Sequence, residues 1–373
     1  MQLLEREGAL AVLAEARVTA ARGDGRVVVV TGEPGIGKTS LVTRFVADLD
    51  AGARVLLGAC DDLSIPRPLG AIHDLAGSLS PALEEALVAG ASPHEIHSLL
   101  LAELALPPQP TVLVLEDVHW ADEATLDVIT LLARRIGSLP VLLLLTCRDG
   151  EAPPGHPAVA AASELLQLEP LSASAVASLS GDGADDFYAV TGGNPFYVTE
   201  LLASRTAEEL PRSITNAVRG RVSRLSEEER HLVELVSVVP NRVATSVLDV
   251  VLPEWPAAAE EPERRALLEV HPRYVRFRHE LARNAIRSSI PIAARRRLHA
   301  EILAALLAAA ADPADIVHHA EAAGAEDVVA EYALVAARRA AALDSNREAY
   351  SHYRRAAAFL DRLPAAERAA VLE

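Results

Sequence analysis

The first half of the chain alternates short apolar runs with amphipathic segments. Residues 26–31 (RVVVVT) are apolar almost throughout, and further on Val42, Phe45, Val46 and Leu49 recur at helical spacing. Strands that are apolar on both faces and alternate with helices predict a parallel sheet covered on both sides. A helix is also expected within residues 1–25, before the first strand. The predicted strands are residues 26–31, 54–57, 111–115, 141–146 and 165–168.

The second half of the chain has a largely helical pattern. Residues 211–298 combine helical periodicity with one β-like stretch at 273–277, an order that suits a winged helix. From residue 299 alanines recur at helical spacing, which predicts antiparallel helix pairs and the start of a TPR-like repeat array. No polar cap closes this array, so we expect it to be cut short. The expected domains are an α/β domain at 1–170, a helical domain at 171–210, a winged-helix domain at 211–298 and repeats at 299–373.

The charge balance limits the partners of the chain. There are 35 basic and 52 acidic residues, a net charge of −17, which argues against the whole chain coating nucleic acid or an anionic membrane. Between His271 and His299, however, eight arginines and one glutamate give a local charge of about +7. This segment contacts DNA, pairs with the acidic remainder of the chain, or folds over a nucleotide; the sequence leaves all three interpretations open.

The apolar runs and the cysteines indicate a soluble cytoplasmic protein. The longest apolar runs are far too short to span a bilayer, and the N-terminus lacks the basic start and cleavage site of a signal peptide. Cys60 and Cys147 lie in or beside strand-like runs, so we expect buried thiols and no disulfide framework.

The segment after the first predicted strand fits the phosphate-binding motif G-x-x-x-x-G-K-[ST], and an amphipathic helix follows it. Glycines let backbone amides point at phosphate oxygens, and the helix N-terminus adds partial positive charge. Lys38 can reach the β- and γ-phosphates, and the Thr39 hydroxyl can bind Mg²⁺. The sequence therefore predicts ATP or ADP with Mg²⁺ as ligands. The expected binding residues are Gly32, Glu33, Pro34, Gly35, Ile36, Gly37, Lys38, Thr39 and Ser40.

Lysine usage supports this motif. Of the 35 basic residues, Lys38 is the only lysine, and the others are arginines. Arginine ends in a wide planar fork, whereas lysine is a compact ammonium on a slim stem. We infer that the one position that keeps a lysine is a position where a guanidinium does not fit.

Two acidic residues follow another apolar run. Residues 112–115 are apolar and lead directly into Glu116 and Asp117. At the tip of a core strand, such carboxylates bind Mg²⁺ and orient the attacking water in phosphoryl transfer. We expect Glu116 on the metal side and Asp117 on the water side, and the reverse assignment stays open. Both acids are candidate Mg²⁺ ligands together with Thr39.

Arg148 follows a further predicted strand, residues 141–146. An arginine at a neighbouring strand tip can report on the γ-phosphate of bound ATP. The alternative is a surface arginine that pairs with Asp149.

A series of motifs runs along the chain in a fixed order. They are LERE at 4–7, GEPGIGKTSL at 32–41, CDDLSIPRPLGAIHDLA at 60–76, LVLEDVHWADEATLD at 113–127, LLARRIGSLP at 131–140, LLTCRD at 144–149, TGGNPFYVTELLA at 191–203, FRHELARNAI at 277–286 and HHAEAAG at 318–324. Together they resemble the signal-transducing ATPases with numerous domains, the STAND class. The most similar branch is the large ATP-binding transcriptional regulators of the LuxR type.

The resemblance implies an order of domains and several further site residues. It implies an AAA-like P-loop domain, a helical lid, a winged helix and a helical-repeat sensor. Within these, it implies that Arg148 senses the γ-phosphate and that Pro195, otherwise the end of a plain turn, packs near the adenine. It also implies that His279 contacts the β-phosphate and that Arg6 lies near the adenine.

The function implied by the resemblance is a nucleotide switch with slow ATP hydrolysis. An unknown effector would bind the repeats, and the ATP state would self-associate. One alternative is an AAA-type motor, which would need an arginine from a neighbouring subunit, such as Arg134 or Arg135. Another is an origin-recognition-like DNA-binding ATPase. Full-length members of the family carry a C-terminal helix-turn-helix that this sequence lacks, so direct DNA binding by this chain is not expected.

Overall fold

Two compact units divide the chain. The computed structural model describes residues 3–50, 52–75, 78–106, 110–151, 156–160, 162–180, 184–204, 218, 220–362 and 368. The first unit comprises Met1–Glu169 and Ala336–His352, and the second comprises Pro170–Val335 and Tyr353–Glu373. Part of the predicted repeat region, residues 336–352, thus belongs to the N-terminal unit. The predicted boundary between the helical domain and the winged helix, at residues 210 and 211, lies outside the described residues.

A five-stranded sheet forms the centre of the first unit. Its strands are β1 (Arg26–Gly32), β2 (Arg54–Ala59), β3 (Thr111–Glu116), β4 (Val141–Arg148) and β5 (Glu164–Gln167). They occur in the order β2–β3–β4–β1–β5, and every pairing is parallel. Each strand contains most of one predicted apolar run, so the predicted parallel α/β sheet is confirmed.

Helices cover both faces of this sheet. Alternate β1 residues separate onto the two faces: Val28 and Val30 pack with the first two helices, and Val27 and Val29 pack with the third to the sixth. This double burial explains why the strands are apolar throughout. The helices are α1 (Glu7–Ala21), α2 (Lys38–Ala47), α3 (Gly70–His73), α4 (Pro81–Ala89), α5 (Pro93–Leu104), α6 (Glu123–Arg135) and α7 (Pro157–Ala160).

The second unit begins with helices and includes a small antiparallel sheet. The helices are α8 (Ala173–Ser180), α9 (Ala184–Thr191), α10 (Pro195–Ser204), α11 (Glu227–Ser237), α12 (Thr245–Val251) and α13 (Trp255–Arg264). The strands are β6 (Arg242–Ala244), β7 (Leu268–Val270) and β8 (Tyr274–Phe277), paired in the order β6–β8–β7. Only β8 is predicted from the sequence, because three-residue strands are too short to show a period of two.

The remaining segments are helical. They form α14 (Glu280–Ser289), α15 (Ile292–Ala308), α16 (Pro313–Ala323), α17 (Glu326–Ala342) and α18 (Asn346–Ala357). Ile302 of α15 and Ile316 of α16 lie in one hydrophobic core with Trp255 of α13. Among the helices that the structure describes, none is both long and apolar enough to cross a membrane.

Candidate functional site

The loop between β1 and α2 has a backbone that requires glycine. Gly32, Gly35 and Gly37 have φ angles of 152°, 79° and 102°, in the region that residues with a Cβ rarely adopt. A Cβ on Gly32 would also lie 2.8 Å from Cγ2 of Ile36. The glycines at the start, middle and end of the predicted motif therefore hold the loop in a compact turn, which leads into the N-terminus of α2.

Lys38 is buried beneath this loop, with 8% of its surface exposed. Its Nζ donates hydrogen bonds to the carbonyl oxygens of Gly32 (2.7 Å) and Glu33 (3.1 Å), so two of its three N–H groups are used. One donor is left for an oxygen of a bound phosphate. The N-cap residue of α2 is Gly37, which has no side chain to accept from the first amides of the helix, and these amides suit the same ligand.

The ends of three strands meet beside the loop. β4 lies between β1 and β3, and Gly32 of β1 is in register with Arg148 of β4. Glu116 ends β3, and Asp117 follows it with a left-handed φ of 53°. The backbone N–H of Asp117 donates to Oγ1 of Thr146 in β4, at 2.9 Å. Aspartate tolerates this conformation, and here it turns the chain from β3 into the short helix at Val118–Trp120.

Electrostatic interactions connect these groups. Burial lowers the pKa of Lys38, Asp117 opposes that shift, and Arg148 adds to it. Lys38, Asp117 and Arg148 are thus close enough to affect one another's charge. The combination of a buried ammonium, the amides at the start of α2 and an adjacent carboxylate fits a nucleotide phosphate with its Mg²⁺. Thr39 and Ser40 lie in the first turn of α2 and are half-buried.

Two residues that sequence reasoning assigned no role lie in the same place. The side chain of His119 is completely buried, and burial together with Arg148 and Lys38 lowers its pKa to about 3. The next residue, Trp120, lies under Arg148, whose guanidinium carbon is 4.5 Å from the ring centroid. Both belong to the motif at 113–127, but side chains after a strand give no periodic signal that would identify them.

Arg6 belongs to the first unit and lies against the phosphate loop. Its side chain is buried and donates to the carbonyl oxygens of Ile36 (3.2 Å) and Glu169 (2.8 Å). It therefore ties the loop to the segment that follows β5. Its expected contact with the adenine stays a prediction.

Pro195 and His279 lie in the second unit. Pro195 is the first residue of α10, and the ring of the next residue, Phe196, packs edge-on against His279 at 5.1 Å between centroids. Burial lowers the pKa of His279 to about 4, and Arg278 adds to this shift. The structure thus brings the two predicted segments together, while their contact with a nucleotide stays a prediction.

The arginine-rich segment after His271 is partly neutralised within its own unit. Arg276 and Arg278 both donate to the carboxylate of Glu269, at 2.9 and 3.3 Å. Burial raises the pKa of Glu269, but the two arginines outweigh it and the net shift is downward. Arg283 is 2% exposed. These contacts pair three of the eight arginines with acidic residues, whereas Arg273, Arg296 and Arg297 are exposed, so the segment is neutralised only in part.

Two helix N-termini cap each other within the first unit. At the start of α6, the backbone N–H of Ala124 donates to Oγ of Ser345 (3.2 Å), and that of Glu123 to Oε2 of Glu348 (3.4 Å). At the start of α18, the N–H of Arg347 donates to Oε2 of Glu123 (3.0 Å). We call these five residues the helix clasp. It joins α6, the helix after Asp117, to the start of α18. The sequence pattern does not predict this connection.

Comparison with known proteins agrees with this geometry. Residues 2–145 match the AAA ATPase domain family. This part of the first unit is therefore similar to an AAA ATPase domain, and the matched residues include the phosphate loop and the acids at the end of β3. No curated protein matches the chain in amino-acid sequence.

Solved structures extend the similarity to the second unit. The chain shares the fold of a signal transduction ATPase with numerous domains (STAND) that has a tetratricopeptide repeat sensor, from Pyrococcus horikoshii, with 17% identity and a TM-score of 0.60. The match covers 97% of this chain but only 58% of that protein. A match to Cdc6p from Pyrobaculum aerophilum covers 78% of this chain and 96% of that protein, with 14% identity and a TM-score of 0.39. A TM-score of this size does not establish a shared fold.

Proposed function

We propose that this chain is an ATP-binding switch of the STAND class and forms the N-terminal part of a LuxR-type transcriptional regulator. The observation that carries the proposal is the buried ammonium of Lys38, held by Gly32 and Glu33 beside the carboxylate of Asp117. An ammonium buried at the N-terminus of a helix is stabilised when an anion binds there, and the loop backbone fits a phosphate chain.

The chemistry of the site is suited to slow phosphoryl transfer. Bound ATP with Mg²⁺ supplies the scissile phosphoanhydride bond and a metal that neutralises its charge. Lys38 and the first amides of α2 hold the phosphates. Glu116 and Asp117 divide two tasks, metal binding and orientation of the attacking water. Arg148 lies at the neighbouring strand end, where it can contact the γ-phosphate and distinguish ATP from ADP.

The helix clasp supports a switch. It connects Glu123, six residues after Asp117, to Arg347 and Glu348 of α18. Residues 346–352 of that helix belong to the first unit, and residues 353–357 belong to the second. An effector that moves the helical repeats would therefore pull on the segment that follows the catalytic acids, which couples effector and nucleotide reciprocally.

The second unit supports the proposed domain order. Its helices and strands from α11 to β8 follow in the order helix, strand, helix, helix and hairpin, which is the order of a winged helix. We assign α8–α10 to the lid and α15–α18 to the start of a TPR-like effector sensor. In the ADP state, His279 of the winged helix and Pro195 of the lid would close over the nucleotide.

The test is nucleotide binding by Lys38 variants, measured by calorimetric titration of the nucleotide-free chain with ADP and Mg²⁺. We expect Lys38→Ala to lose binding by about 100-fold or more, since it removes a charge-assisted contact to two phosphates. Lys38→Arg should fail as well, because the guanidinium is too wide for the space under the loop. The matched control is Arg44→Gln, which removes an exposed arginine from the same helix. Normal affinity in Lys38→Arg would contradict the proposal.

A further inference from the structure

Three histidines meet in the second unit, on two consecutive helices. His299 lies on α15, and His318 and His319 lie on α16, the helix that packs against it. Nδ1 of His299 is 3.0 Å from Nδ1 of His319, and both residues are buried. The ring of His318 lies 5.1 Å from that of His319 and 5.9 Å from that of His299, between centroids.

We propose that His299, His318 and His319 form a binding site for one late first-row divalent transition metal ion, of which Zn²⁺ is the principal candidate. One ring nitrogen from each residue lies within 4.8 Å of the others, and among the described residues no other group of three or more histidine, cysteine or acidic side chains meets this condition. Imidazole nitrogens are the ligands that Zn²⁺, Cu²⁺ and Ni²⁺ share.

The spacing suits a tetrahedral ion. With metal–nitrogen distances near 2.05 Å, two ligands of a tetrahedral site are about 3.3 Å apart. The His299–His319 pair is already close to this value, and the nitrogen of His318, within 4.8 Å of the other two, needs to move closer by at most about 1.5 Å. A hydrogen bond between two neutral imidazoles explains the pair alone. It does not account for a third imidazole with a ring nitrogen within 4.8 Å of the other two.

The protonation state of the cluster suits metal binding. Burial lowers the pKa of His299 and of His318 to about 4, and it holds that of His319 well below its ordinary value. Near neutral pH the rings are therefore uncharged and can donate a lone pair. Four arginines add to these shifts: Arg287 and Arg283 of α14, Arg295 of α15 and Arg355 of α18. They also repel a dication, so we expect weaker binding than in a zinc finger.

A bound ion would fix two helices of the proposed sensor to each other. The ligands are separated by the turn between α15 and α16, so an ion there stabilises this helix pair against opening. Water would complete the coordination of the ion, since the described residues supply three ligands.

The experiment uses the untagged full chain, stripped of metal with a chelator that is then removed. Zn²⁺ is titrated calorimetrically, and Co²⁺ is added to a parallel sample to record its visible d–d absorption. We expect about one equivalent of Zn²⁺ per chain, a higher melting temperature with Zn²⁺, and the absorption of a nitrogen-ligated Co²⁺ ion.

Histidine variants test which residues bind the metal ion. His318→Gln removes the half-buried ligand, and His299→Gln removes one member of the buried pair. Each should lower the affinity at least about 10-fold and abolish the Zn²⁺-dependent rise in melting temperature. The control is His231→Gln, which removes a half-exposed histidine of the same unit and should bind Zn²⁺ like the unchanged chain. If His299→Gln does not fold, His318→Gln and the Co²⁺ spectrum still test the proposed metal site. No stoichiometric Zn²⁺ binding by the unchanged chain, or equal binding by His318→Gln, overturns the proposal.

Discussion

The guanidinium of Arg148 lies over the ring of Trp120, with 4.5 Å between its central carbon and the ring centroid. This places a cation–π contact next to Lys38 and Asp117, at the point where a γ-phosphate is expected. Since Trp120 and Trp255 are the two tryptophans of the chain, Trp255→Phe leaves Trp120 as a specific fluorescent reporter of this contact.

In the Trp255→Phe chain, we expect a non-hydrolysable ATP analogue to change the emission of Trp120 more than ADP does, because the γ-phosphate draws Arg148 away from the ring. In an Arg148→Gln derivative, the two nucleotides should give the same emission. If the ATP analogue and ADP give equal emission in the Trp255→Phe chain that still has Arg148, the role proposed for Arg148 is wrong.

Replacement of the two acids tests the division of their tasks. Asp117→Asn should slow ATP hydrolysis by about 10²–10⁴-fold while ATP still binds, because the amide cannot accept a proton from the attacking water. Glu116→Gln should instead weaken Mg²⁺ binding, measured as the Mg²⁺ concentration that gives half-maximal hydrolysis. Asp127→Asn, at an exposed position of α6, is the control. An exchange of the two results would reverse the assignment, and normal hydrolysis in both variants would refute it.

The helix clasp should control the release of ADP. Glu348 is 1% exposed and accepts the backbone N–H of Glu123, and Glu348→Gln keeps its shape while it removes the charge. We expect a fluorescent ADP analogue to dissociate at least about fivefold faster from this variant, the lower end of typical coupling between sites. Arg355→Gln is the control, since Arg355 lies on the same helix but pairs with Glu321 outside the clasp. An unchanged rate of dissociation would mean that the clasp is structural only.

Buried neutral histidines predict a loss of stability in mild acid. The pKa of His279 is about 4 in the folded chain, below its ordinary value of 6.5, so the unfolded chain binds the proton more readily. The free energy of unfolding therefore falls as the pH is lowered from 6.5 towards 4, and this residue contributes about 1–2 kcal/mol of the loss between pH 6.5 and 5.

The contribution of His279 can be isolated with Trp255, which is buried in the core of the second unit. In a Trp120→Phe background, urea unfolding followed by Trp255 fluorescence is compared at pH 6.5 and pH 5. The loss of stability should be smaller by about 1–2 kcal/mol in His279→Gln. The same pH dependence in both chains would show that His279 is not held in its neutral form.

Much of the fold and of the phosphate site could be predicted from the sequence, for physical reasons that the structure makes clear. A strand such as β1 is buried on both faces, so its residues form a continuous apolar run, and the glycines of the loop are fixed by positive φ angles. The strands β6 and β7 could not be predicted, because each has three residues.

The helix clasp could not be predicted either. Glu123 and Glu348 are 225 residues apart, and each looks like an ordinary acid in the first turn of a helix. The contact between Arg148 and Trp120 depends on the order of the strands, which places β4 between β1 and β3. A single sequence carries the local signals but not these long-range pairings.

The most direct test of the switch is the steady-state rate of ATP hydrolysis by the full chain, measured with saturating ATP and Mg²⁺ and without effector. A switch holds its nucleotide to set a conformation, so we expect about 10⁻² turnovers per second or fewer, as for other switch ATPases and GTPases before activation. Sustained turnover of about 1 per second or faster is the rate of an ordinary enzyme or motor and would contradict the account.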